Sequence, residues 1–161
     1  MKYLFICSLL AVLLLFSFCS CGVSSGRFPQ SGSKTTGQTQ ASPTEYFQKG
    51  VHDFENFQFN QAKRSFDKVL EAMPNHLNAL FYRGRCLIHM KNFDQALNDF
   101  STILSHNKQD AKGLSGRARV LIERRNDKEA MRNVEKSINS DRNLAYAWYV
   151  KGLIFGYQNQ L

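Results

Sequence analysis

The sequence predicts an all-α chain, an α-solenoid of three helix-turn-helix repeats followed by a single C-terminal helix. The first observation behind this is a period of 34 residues. Small residues recur at that step as Gly50, Gly84, Ala118 and Gly152, and a second small series, Ala62, Ala96 and Ala130, keeps it. The second observation is that larger apolar residues hold the same register: Tyr46, Leu80, Leu114 and Trp148; Phe66, Phe100 and Val134; Leu70, Leu104 and Ile138. The third is the pattern inside one period. Apolar residues recur every three or four positions through Leu80, Leu87 and Ile88, pause at Lys91 and Asn92, then resume through Phe93, Ala96, Phe100, Ile103 and Leu104. That spacing puts them on one face of each of two helices joined by a tight turn. A unit of this size cannot bury its apolar face alone, so neighbours must stack.

The first element in the chain precedes the repeats. Lys2 opens it, followed by an apolar run of 13 residues, 4–16. A membrane-spanning helix needs about 20 apolar residues, so this run reads as a cleaved signal. It ends in LLLFSFCSCG, residues 13–22. The segment resembles a bacterial lipoprotein signal, in which a small residue precedes the cysteine that becomes the diacylated N-terminus. Ser20 before Cys21 fits, whereas Phe18 before Cys19 is too bulky. Phe18 also stands three places before Cys21, where the family usually has leucine.

The resemblance implies a signal peptide at 1–20, lipid attachment at Cys21, export to a bacterial cell envelope and a lipid anchor in its membrane. Each buried CH2 of such an anchor contributes about 0.8 kcal/mol. An uncleaved single-pass anchor and plain secretion are the alternatives. Residues 21–42 form the second element, rich in Ser, Gly, Thr and Gln, with Arg27 and Lys34 as the only charges. Such a stretch cannot bury enough apolar surface to offset its ordering entropy, so a flexible tether is expected. Its 21 residues from Gly22 to Ser42 span roughly 25 Å r.m.s..

The repeats follow at 43–76, 77–110 and 111–144, with a partial fourth at 145–161. Small residues belong where the two helices of a hairpin approach closely, and Pro74 stops the second helix of the first unit. These residues resemble a tetratricopeptide repeat (TPR) array. The family pattern appears as Tyr46-x3-Gly50, Ala62, Phe66 and Pro74, then as Leu80-x3-Gly84-x2-Leu87, Ala96 and Phe100. Leu114, Ala118, Leu121, Ala130 and Val134 form a weaker third copy, and Trp148-x3-Gly152-x2-Phe155 opens a fourth. Asp53 replaces the usual aromatic, and Lys108 and Arg142 replace the proline. Lys49, Arg83, Arg117 and Lys151 precede the small residue where the family often has leucine; each is expected to pair with an acid on its own second helix, as Arg83 with Asp99, and a functional basic stripe is the alternative.

Composition bounds the function. A chain of 161 residues with 43% hydrophobic and 21% charged residues holds one modest domain and excludes wholesale disorder. Its net charge of +8 suits an acidic partner, an anionic membrane or nucleic acid. No nucleic-acid fold signature is present, and an exported chain would not meet nucleic acid. Residues 111–144 carry nine Lys and Arg against five Asp and Glu, the strongest basic bias among the units. Of the cysteines Cys7, Cys19, Cys21 and Cys86, three lie in the first 21 residues, so they are no disulfide framework.

The TPR resemblance implies a groove lined by the first helix of each unit, in which an extended peptide or a partner helix lies. The matching positions are Phe47, Val51 and Phe54; Asn78, Phe81, Arg85 and His89; Lys112, Ser115, Arg119 and Ile122; then Tyr146 and Tyr149. Aromatic and basic side chains of this kind are enriched at interface hot spots. The family's clamp for a C-terminal carboxylate is not expected, because its positions hold Phe47, Val51, Tyr82, Lys112 and Gly116, of which only the lysine fits.

The last helix is apolar nearly all round, where a terminal repeat normally turns a polar face outward. Trp148, Leu153, Ile154 and Phe155 are therefore expected to form a docking surface, for a partner or for a second copy of the chain. No metal, cofactor or catalytic residue is expected: His52, His76, His89 and His106 are scattered, and the glycines serve packing. The reading is a membrane-tethered adaptor for a cell-envelope complex. A secreted or single-pass binding protein and an accessory subunit of an envelope enzyme are the alternatives.

Overall fold

A computed structural model of the protein describes residues 41–158. They lie in one compact unit and form seven helices, with no strand among the described residues. The helices are α1 (Pro43–Glu55), α2 (Phe59–Ala72), α3 (Leu77–His89), α4 (Phe93–His106), α5 (Ala111–Glu123), α6 (Asp127–Ser140) and α7 (Ala145–Gln158). Consecutive helices pair as hairpins α1–α2, α3–α4 and α5–α6, which stack in order with α7 against α6 and α5. This is the three-hairpin TPR-like solenoid with a final single helix that the 34-residue period predicts. The expected signal peptide, Cys21 and the tether as far as residue 40 lie outside the described residues, while Ser42, the last residue expected in the tether, is the N-cap of α1. No helix among those described is long and apolar enough to cross a membrane.

Each hairpin starts and turns by chemistry the sequence supplies. Ser42 and Glu45 close a capping box on α1, with Pro43 in the first turn, where a missing N–H costs nothing. His76 caps α3 by accepting from the Ala79 N–H at 3.0 Å, and Asp110 caps α5 by accepting from the Gly113 N–H at 2.8 Å. The turns within the hairpins run through Phe57, Lys91 and Arg125, all left-handed at φ 60°, 61° and 59°. In each, the next residue's N–H closes back on the helix: Gln58 to the Asp53 carbonyl (2.8 Å), Asn92 to Leu87 (2.8 Å) and Asn126 to Leu121 (3.0 Å). These are Schellman turns, which satisfy orphan carbonyls but favour glycine at the left-handed position.

The small residues mark helix contacts. A Cβ on Gly50 would lie 2.7 Å from the Phe66 ring, and one on Gly84 2.6 Å from Phe100. In the third hairpin the pair becomes Ala118 and Val134, both fully buried in one cluster. A methyl added on one helix is matched by a smaller side chain on the other. Gly116 adds a contact the period did not reveal, since its backbone abuts the same Phe100 ring from the next unit.

The basic column departs in part from expectation. Arg83 donates to Asp99 on its own second helix through Nε (2.9 Å) and Nη2 (2.6 Å), and to Asp67 of the preceding hairpin through Nη1 (3.0 Å). Arg117 reaches the equivalent position but finds the neutral Asn133. Lys49 instead bonds Asp53 on its own helix at 2.8 Å, because the residue 16 ahead of it is Ser65. Lys151 leans toward the Trp148 ring at 5.9 Å.

Candidate functional site

The first helices of the units, α1, α3, α5 and α7, share one face of the array, and its centre is a guanidinium held between rings. The Arg85 guanidinium lies 4.4 Å from the centroid of Phe54 on α1 and 4.4 Å from that of Tyr146 on α7. Phe81 and Tyr82 are 5.4 and 5.7 Å away. Arginine suits such a slot, since a planar, weakly hydrated cation is attracted to ring faces. Its buried Nε has no hydrogen-bond partner among the described residues, so the rings carry the contact on that side.

Tyr146 reaches across α5 to meet Phe81 edge-on at 5.4 Å. Ser115 occupies the α5 place that Phe81 fills on α3, and its hydroxyl folds back onto the Ala111 carbonyl at 2.8 Å. A small side chain there leaves the space through which the ring passes. Burial pushes the Tyr146 hydroxyl up to about 12, so it stays a neutral donor at ordinary pH.

From this centre the strip continues both ways. Phe54 meets Phe59 at 5.6 Å, and the His89 ring stacks flat on Phe59 at 3.9 Å and 4°. Burial, then the charges of Arg85 and Arg119, hold His89 below its ordinary value and keep the stacked ring neutral. At the other end Tyr149 stacks beside Tyr146 at 6.0 Å and is exposed. Arg119 is paired with Glu123 at 2.5 Å, and Lys112 donates to Asn78 at 2.6 Å.

The expected groove residues therefore divide. Phe54, Arg85, His89, Tyr146 and Tyr149 assemble into one strip. Phe47 packs inward against His76 at 5.0 Å and Phe66 at 5.8 Å. Phe81, expected to contact a ligand, is buried beneath Arg85 and Tyr146 and serves as their floor. On the last helix, Trp148 and Phe155 are exposed, whereas Ile154 is fully buried in the cluster formed with α5 and α6. Ile154 is therefore core and no part of a docking surface; Leu153 is half-buried beside it. Phe59 joins the strip unannounced, hinted at only by its aromatic character beside predicted positions, and Tyr82, read in the sequence only as a departure from the carboxylate clamp, joins it too.

Elsewhere, a cavity of about 610 Å³ opens along the turns that link the hairpins, lined by polar groups that include Asn75, Asn107, Asp110 and Asp141. Cys86 is fully buried, and burial pushes its thiol up to about 12, so no reactive thiolate forms. No group of three or more His, Cys, Asp or Glu stands ready to hold a metal ion among the described residues.

A family model described as a tetratricopeptide repeat matches residues 53–111. Comparison with curated proteins gives no match. Among solved structures, TTC0263, a thermophilic TPR protein of Thermus thermophilus, superposes with a TM-score of 0.66 at 15% identity, over 73% of this chain and 66% of that one. The TPR2B domain of yeast Sti1, solved as a complex with pHsp70, gives 0.62 at 14% identity over 74% and 98%. The first TPR of Spaghetti (RPAP3), bound to the HSP90 peptide SRMEEVD, gives 0.61 at 19% over 73% and 93%. Identities this low carry the fold alone, and the fold they carry is the TPR-like α-solenoid that the hairpins and the 34-residue register build.

Proposed function

We propose that the protein is an adaptor that binds an extended peptide or a partner helix along the strip on α1, α3, α5 and α7. It works at a bacterial cell envelope, held to the membrane by lipid on Cys21, in the assembly or regulation of an envelope complex. The observation that carries the binding reading is Arg85 seated between Phe54 and Tyr146 and flanked by the exposed His89 and Tyr149. Rigid rings around a cation give large contact area at small entropic cost. Two of the similar structures hold ligands of this kind, Spaghetti an HSP90 peptide and Sti1 pHsp70, which supports a peptide ligand here. The basic third unit favours an acidic one. The tether rests on the short apolar run, Ser20 and Cys21.

The test has two arms. Radioactive palmitate should label the full-length protein in bacterial cells and not its Cys21→Ser variant; equal labelling, or none, removes the anchor from the reading. Co-purification from intact membranes should recover a partner that Tyr149→Ala and Arg119→Gln both lose. Recovery unaffected by either variant removes the strip as the binding face.

A further inference from the structure

The helix α7 presents the face of a first helix, and no second helix covers it among the described residues. Trp148, Gly152 and Phe155 continue the columns of Leu80, Gly84 and Leu87, the face that α4 covers in the second hairpin. There the Phe100 ring lies 2.6 Å from where a Gly84 Cβ would stand. On α7 nothing among the described residues lies within 4 Å of a Cβ built at Gly152 or Gly156. Trp148 is 50% exposed and Phe155 49%. Lys151 continues the column of Arg83 and Arg117, which are bonded from the second helix by Asp99 and Asn133. It has no ion pair among the described residues.

We propose that this face binds an amphipathic helix of a partner protein carrying the signature Ala-x2-Asp-Phe-x3-Leu, which α4 displays as Ala96, Asp99, Phe100 and Leu104. The open face continues, in the same register, the helix-on-helix interface already formed three times within the molecule. The partner's aromatic ring fills the notch at Gly152, its alanine allows close approach, and its carboxylate meets Lys151. A second copy fits this face poorly. The exposed side of α7 bears no acidic residue, so a paired α7 offers Lys151 no carboxylate and sets the two lysines near each other. Two half-exposed aromatics release roughly 200 Å² between them, well below a standard interface, so tight binding is not expected.

The site lies apart from the Arg85 strip and does not depend on it. A helix-stabilised synthetic peptide of the α4 sequence, residues 92–107, is titrated into the full-length protein, and the emission of Trp148, the single tryptophan, is followed. A saturable blue shift is expected. Asp99→Lys in the peptide should weaken binding at least tenfold. So should Gly152→Leu in the protein, whose Cβ meets open space and which should not lower the circular dichroism melt. Arg119→Gln should bind the peptide normally, so failure here and failure of the strip are separable. The proposal is overturned by the absence of a saturable shift, by binding indifferent to Gly152→Leu, by equal binding of the lysine peptide, or by a dimer that Gly152→Leu dissociates.

Discussion

Arg83 grips Asp99 with two nitrogens, at 2.9 and 2.6 Å, while its third reaches Asp67 at 3.0 Å, so one guanidinium ties α3 to α4 and to α2. Asp99 is 2% exposed, and burial raises its carboxyl above the ordinary carboxylate range despite the bond. Asp67 stays in contact with water.

The two acids should therefore differ in mutational cost. Asp99→Ala leaves a half-buried cation with one remaining partner and is expected to cost about 2–4 kcal/mol. Asp67→Ala should cost about 1 kcal/mol or less. Urea unfolding followed by circular dichroism measures both, and equal losses would contradict the burial argument.

The left-handed turns give a prediction of opposite sign. Lys91 and Arg125 hold φ near 60° without being glycine. An L-residue there costs about 1–2 kcal/mol, offset in part by the extra freedom glycine gives the unfolded chain. Lys91→Gly and Arg125→Gly should each stabilise by about 0.5–1 kcal/mol, seen as a higher urea midpoint with unchanged slope. Arg125→Val, β-branched at the same φ, should lower it.

Glycines at equivalent places should respond differently. Gly84→Ala drives a methyl into the Phe100 ring and is expected to cost about 1–3 kcal/mol. Gly152→Ala meets open space and should stabilise α7 by about 0.5–1 kcal/mol. A double-mutant cycle of Gly84→Ala with Phe100→Val should show a loss smaller than the sum of its parts, as the Ala118 and Val134 pair implies.

His89 should make stability depend on pH in one window. Its folded-state value lies below the ordinary 6.5, so as pH falls from 6.5 the unfolded chain takes up the proton first. Stability is then full above 6.5 and declines as the pH drops toward the folded-state value. Thermal melts at pH 7.5 and 5.5, compared with those of His89→Gln, check it. The decline should be smaller in the variant.

The hairpins were legible because a stacked unit must put like residues at like places, and the 34-residue columns record that demand directly. The left-handed turns were not, since Phe57, Lys91 and Arg125 carry none of the glycine or asparagine that announces such a backbone. The Arg83 and Asp99 pair was legible because both residues sit in repeat columns; Lys49 went astray because Ser65 fills the partner's place. The Arg85 slot was half legible. Its residues lay on the expected face, but the approach of Tyr146 depends on a serine one helix away, which periodicity does not weigh.

The clasp at Arg83 has no equal further along. Sixteen places before Arg117 stands Ser101, not an acid, and the pair that spans the next joint, Arg124 with Asp94, is exposed to water. Charge thus rivets the first two hairpins, whereas the following seam is closed by shape: the Phe100 ring lies against the Gly116 backbone and Tyr146 reaches past α5 to Phe81.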